Sequence, residues 1–270
     1  MAHYPDTQSF RAYASGSGDT LMSDPTSDLD TLWRSLPRAP RGFDPQDIAH
    51  LPELARSYLG HAIAPGTPVA RAVRLRMHGL IRLKRWRKFK AVQVITSDGT
   101  MIWRASVRMG SASIRGYDRL VGGRGEMKWR LFGLIPIIRE AGPDVTRSIA
   151  NRVAAESIWL PSMLVDERVR WRAGDASVAL VGVSIGGYET ELRMTLDHGR
   201  LIAVGLSRWG NPDGGAFREA PFGAYVDQEA TFGGYTIPAR LRIGWYFDDA
   251  ARFDADGKFF EVSIDDATYR

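Results

Sequence analysis

The sequence contains no cysteine. That removes disulfides, thiolate nucleophiles and cysteine-ligated zinc together, and it fits a reducing compartment. Long apolar runs are also missing. The longest, Leu131 to Ile138, is interrupted by Gly133 and Pro136 and falls far short of the roughly 20 residues that a membrane-spanning helix needs. The opening residues, MAHYPDTQSFRAYASGSGD, show no basic start followed by an apolar core, so no secretory leader is read there and a cytoplasmic location is expected. Histidine is sparse. His3, His50, His61, His78 and His198 stand at neither H-x-H nor H-x-x-x-H spacing, so no metal site or cofactor is indicated.

What is present is ordinary in bulk and uneven in detail. The apolar fraction is 44%, enough for a sizeable core. The net charge of +5 conceals a strong asymmetry: residues 69–142 carry 17 basic against 4 acidic side chains, a local net of +13. An excess of that size attracts phosphates, carboxylates, anionic lipid or an acidic partner.

Residues 1–44 are rich in Ser, Gly, Asp, Thr and Pro and lack a sustained apolar period, which predicts a weakly ordered extension. Within it, Asp28 to Leu36 has the spacing of a short helix that docks through Leu29, Leu32, Trp33 and Leu36. From residue 45 a single β-rich domain is expected to the C-terminus. It opens with a helix capped by Asp44, with Pro45 in its first turn, Gly60 as the stop and Pro52 as a possible break. Strict alternation then marks strand after strand, as in Val73, Leu75 and Met77 against Arg74, Arg76 and His78. Ser97-Asp98-Gly99-Thr100 and Asp197-His198-Gly199-Arg200 read as hairpin turns. Val145, Ile149, Val153 and Ile158 keep helical spacing between Pro143 and Pro161. About ten strands joined by tight turns, with two or three helices on the concave side, predict a mainly β (α+β) fold: a curved antiparallel half-barrel.

Gly182-Val183-Ser184-Ile185-Gly186 matches the nucleophile-elbow pattern, which needs a helix after the serine. Tyr188, Thr190, Leu192, Met194 and Leu196 instead alternate with Glu189, Glu191, Arg193, Thr195 and Asp197, so the segment reads as a hairpin. The densest basic run, Arg82, Lys84, Arg85, Arg87, Lys88 and Lys90, is interleaved with Trp86 and Phe89. Two readings stand: a phosphate-contacting hairpin with aromatic stacking, or a strand-turn-strand with outward cations and one ring in the core. Glu156 and Trp159 are three apart at the end of the second helix and share a face. A buried Glu156 would want an arginine, with Arg119 and Arg208 as candidates.

The ordered landmarks Leu51-Pro52-Glu53-Leu54, Trp103-Arg104-Ala105, Glu156-Ser157-Ile158-Trp159-Leu160-Pro161, Arg208-Trp209, Phe232-Gly233-Gly234-Tyr235 and Gly244-Trp245 resemble a bacterial family of unknown function, catalogued as domain number 6544. That family in turn is similar in architecture to the LolA and LolB lipoprotein carriers, which implies a half-open barrel holding an apolar or amphipathic molecule. The expected ligand-binding residues are Trp103, Trp129, Trp159, Trp209 and Trp245, with Arg119, Glu156 and Arg208 as polar anchors. A binding module for nucleic acid or an acidic protein through residues 82–90 is the second reading, and an enzyme using Glu156 as acid or base the third.

Overall fold

The computed structural model describes residues 25–37 and 41–270. Among the described residues, thirteen strands form one antiparallel sheet. The first six are β1 (Ala72–Arg82), β2 (Trp86–Thr96), β3 (Met101–Met109), β4 (Ala112–Val121), β5 (Arg124–Leu131) and β6 (Ile135–Ala141). The other seven are β7 (Arg170–Ala173), β8 (Val178–Ile185), β9 (Tyr188–Asp197), β10 (Arg200–Gly210), β11 (Arg218–Phe232), β12 (Tyr235–Trp245) and β13 (Lys258–Tyr269). The sheet order, β6-β5-β4-β3-β2-β1-β13-β12-β11-β10-β9-β8-β7, describes two meanders that grow outward and inward and meet at a β1–β13 seam. The sheet curls into a half-barrel.

One of the strands beyond the expected ten has a local cause. The apolar stretch Leu131 to Ile138 breaks at Phe132 and Gly133, which both take left-handed backbone at φ 54° and 74°. The result is a β5–β6 hairpin whose tip leaves Phe132, Leu134 and Ile135 exposed, not a buried strand. Elsewhere the turns follow the sequence. Asp98 accepts from the Thr100 amide at 3.0 Å, and His198 and Gly199 hold the paired positive φ values, 49° and 84°, that match a hairpin to the strand twist. The Gly182–Gly186 motif lies in the β8–β9 hairpin, with Gly186-Gly187 as its turn.

Helix α1 is Pro25–Ser35, α2 is Glu53–Ala62 and α3 is Pro143–Glu156. Pro52 does divide the early helical stretch: Asp44 caps a separate 3-10 turn, Pro45–Ile48, through a capping box. Gly60 does not stop α2, which continues to Ala62. Leu59, Tyr58 and Ala55 of α2, with Ile149, Val153 and Ala154 of α3, pack into the concave core. The helix in the N-terminal extension goes elsewhere. Leu29 and Trp33 of α1 cover Ala72, Val94 and Ile102, residues out of phase with the inward set Val73, Ile95 and Trp103, so α1 lies on the convex face. Most of the remaining expected extension lies outside the described residues.

Candidate functional site

Alternation fixes the floor of the hollow. Gln93, Trp103, Asp118 and Met127 are successive cross-strand partners on β2, β3, β4 and β5, and all four line a cavity of about 220 Å³ between the sheet and α3. Most of the wall is apolar, with Met77, Ile81, Ile149, Phe222 and Ile243 among its residues. Among the described residues, charge enters only through Asp118, Glu140, Arg152, Glu156 and Arg208.

Gln93, Asp118, Arg152 and Glu156 form one network at the floor. The Arg152 guanidinium donates from Nε to Glu156 Oε1 at 2.7 Å and from Nη1 to Asp118 Oδ2 at 2.8 Å. It also lies 4.9 Å above the Trp103 ring, where the face of the π-system favours a cation. Gln93 Nε2 donates to Glu156 Oε2 at 2.6 Å, and Trp129 Nε1 donates to Asp118 Oδ1 at 3.0 Å. Burial pushes the Asp118 carboxyl above its usual range, although Arg152 and the Trp129 hydrogen bond oppose the shift. Glu140 is raised as well, by desolvation and then by Asp118. Gly116 makes room for this arrangement: a Cβ there would stand 2.5 Å from the Trp129 ring.

Five of the eight expected ligand-binding residues line the cavity: Trp103, Glu156, Trp159, Arg208 and Trp245. Trp159 is fixed by a 3.0 Å hydrogen bond to the Pro238 carbonyl. Arg208 lies over the Phe222 and Trp245 rings at 4.5 and 5.3 Å. The other three are absent from the wall. Trp129 packs behind Trp103, with ring centroids 5.6 Å apart. Trp209 bonds Asp144 and lies under Arg147 beside the start of α3. Arg119 alternates with Asp118 onto the convex face, where it pairs with Glu126 and with Asp28 of α1. The arginine partner of Glu156 is therefore Arg152, one helical turn earlier, and neither Arg119 nor Arg208. Glu156, the candidate acid or base, has both oxygens engaged by Arg152 and Gln93.

Gln93, Asp118 and Arg152 are the site residues missing from the sequence reading. The first two did leave a signal: each is a single polar residue in an inward apolar series, Phe89-Ala91-Gln93-Ile95 and Ile114-Gly116-Asp118-Leu120. In the basic hairpin, Phe89 is the core ring. Trp86 is half-buried between the Arg82 and Lys258 cations, at 6.0 and 5.8 Å. Arg82 bonds the Ala255 and Asp256 carbonyls and Arg87 is half-buried. Lys84, Arg85, Lys88 and Lys90 are exposed, and the last two share a shallow surface groove with Arg108 and Arg240. Among the described residues no group of three or more His, Asp or Glu is placed to hold a metal ion, and no helix is long and apolar enough to cross a membrane.

The family of unknown function DUF6544 matches residues 41–255, and the chain belongs to it. No curated protein matches. Two solved structures are similar at very low identity. One is a putative outer membrane lipoprotein-sorting protein domain from Vibrio parahaemolyticus, with 10% identity, 74% of this chain and 85% of that chain covered, and a TM-score of 0.40. The other is a LolA superfamily protein from Nitrosomonas europaea, with 8% identity, coverage of 80% and 92%, and a TM-score of 0.37.

Proposed function

We propose that this protein binds a hydrophobic or amphipathic small molecule in the cavity between the half-barrel and α3. The observation that carries this reading is the cavity itself: about 220 Å³ with a largely apolar wall and a few polar groups, four of them joined in one network. Protein interiors are close-packed, with few voids larger than a water molecule. An apolar cavity of roughly 150 Å³ is already enough to bind benzene. A mostly apolar site with a small convergent polar set is the usual form of a small-molecule pocket.

Native mass spectrometry of the full chain, followed by denaturing extraction, tests this directly. A stoichiometric apolar adduct is expected, and the emptied protein should bind the neutral dye Nile red at one site. Ser148 lines the cavity and is partly exposed, so Ser148→Trp should obstruct dye entry while leaving the unfolding temperature near wild type. Absence of both an adduct and dye binding would sink the reading.

A second reading concerns an anionic polymer or acidic protein on the convex side. Its support is the exposed set Lys84, Arg85, Lys88 and Lys90 together with the groove that Lys88 and Lys90 share with Arg108 and Arg240. Binding there is expected to weaken steeply with salt.

A further inference from the structure

We propose that the cavity recognises a neutral polar group that both donates and accepts a hydrogen bond, a hydroxyl or an amide, on an otherwise apolar ligand, through Trp103 Nε1–H and Gln93 Oε1. This rests on the cavity reading above and names the chemistry of the ligand's polar end.

Gln93 is fully buried and Trp103 is 3% exposed, and both line the cavity. Among the described residues, neither Gln93 Oε1 nor Trp103 Nε1 has a hydrogen-bond partner. Buried polar atoms are nearly always paired, and one left unmade carries its full desolvation penalty. The amide orientation of Gln93 is set by its neighbour. Glu156 accepts from Nε2 at 2.6 Å, a carboxylate can serve only as acceptor, and so the amide oxygen is the atom turned elsewhere. Gln93 and Trp103 are directly opposed on β2 and β3, where Cβ atoms lie about 4.5–5.5 Å apart. These two neighbouring wall residues thus carry one unpartnered acceptor and one unpartnered donor.

The alternatives fail one half of the pair. An ionised carboxylate accepts from Trp103 and has no proton for Gln93. An ammonium donates to Gln93 and has no lone pair for Trp103. The wall also disfavours an anion, since three carboxylates, Asp118, Glu140 and Glu156, face it against two guanidiniums, Arg152 and Arg208. A hydroxyl or amide satisfies both atoms and adds no charge to the Asp118–Arg152–Glu156 network.

The test is displacement of Nile red from the full chain by 1-decanol, decyl methyl ether, decylamine and decanoate at pH 8. Decanol should bind about tenfold more tightly than the ether or either ion, a difference of the size of one net hydrogen bond. Trp103→Phe removes the donor and keeps a ring, and Gln93→Leu removes the acceptor. Gln93→Leu should abolish the preference for decanol over the ether, and Trp103→Phe should narrow the lead of decanol over decylamine, with the Nile red affinity measured afresh for each variant; either variant serves if the other does not fold. If Nile red binds but the ether or decanoate equals decanol, water serves the pair, and this inference fails while the cavity reading stands. A preference for decanol over the ether that survives in Gln93→Leu, or a lead over decylamine that is unchanged in Trp103→Phe, likewise overturns it. If no probe binds, Nile red included, the cavity reading itself fails.

Discussion

Removing the Arg152 guanidinium should expose how the floor network is balanced. Arg152 bridges Asp118 and Glu156, whose side chains are 6% and 12% exposed, and is itself 18% exposed. Arg152→Met keeps most of the stem that packs on Trp103 and leaves two buried carboxylates facing each other without a cation. Breaking a buried pair from one side costs about 3–5 kcal/mol, because the remaining charge stays desolvated. At about 2–4 °C per kcal/mol for a chain of this order of size, the unfolding temperature should drop by about 10 °C at pH 7.5. The pH dependence has a definite sign. Burial raises Asp118 and Arg152 is the largest opposing influence, so the variant's Asp118 rises further. A carboxyl raised in the folded state contributes stability below its unfolded pKa and loses it as pH climbs through the folded value. The gap between variant and wild type should therefore shrink between pH 7.5 and pH 5, read by circular dichroism melts. Adding Asp118→Asn should restore part of the loss, since an amide oxygen still accepts from Trp129. A drop under about 3 °C, well below one broken buried pair, or a gap that widens on acidification, would refute this account.

Gly116→Ala drives a Cβ to 2.4 Å from the Lys128 carbonyl and should cost at least the roughly 1–3 kcal/mol of ordinary overpacking, measured by urea denaturation. Phe132 holds a left-handed backbone at φ 54° on an exposed turn, so Phe132→Asn should stabilise by up to about 1 kcal/mol, relieving strain that a phenylalanine bears and an asparagine tolerates. A loss of stability there would contradict the turn. For the basic hairpin, Lys84→Glu, Arg85→Glu, Lys88→Glu and Lys90→Glu together should leave Nile red binding intact. Wild-type binding to a single-stranded oligonucleotide should fall with salt at a log–log slope of about −0.7 per phosphate contacted and vanish in the variant; salt-insensitive binding would remove the second reading.

Much of the fold was legible because alternation and turn chemistry are local. The period of two along β3 and β9, and the glycine-bearing turns at 97–100 and 197–200, specify strands and hairpins without reference to anything distant. The hidden parts depend on partners. The apolar run from Leu131 to Ile138 looks continuous until the backbone turns at Phe132. Alternation also separates Arg119 from Asp118, but only the helix that covers one face shows which of the two is inside. Arg152 was invisible for the same reason: mid-helix arginines are ordinarily solvated, and nothing within α3 announces two acidic neighbours, one of them delivered by β4.

The topology explains why the polar network sits where it does. After β6 the chain stands at one edge of the sheet and must begin β7 at the other, and α3 makes most of that crossing through the hollow, touching β4, β5, β8, β9 and β10 on the way. A polar face on this helix inevitably meets the inward row of the strands beneath it. The strands there belong to the segment carrying 17 basic side chains, yet none of those cations lines the cavity. The charged residues that residues 69–142 contribute to its wall are Asp118 and Glu140, while both wall arginines, Arg152 and Arg208, come from later in the chain. Pleating has thus sorted charge by face: the segment's cations stay off the cavity wall, while two of its four carboxylates and one amide face inward. A positive outer field draws anions to the convex surface, whereas the cavity wall carries three carboxylates against two guanidiniums, so the two proposed sites call for ligands of different charge. The two binding readings are consequently separable by mutation, one face at a time.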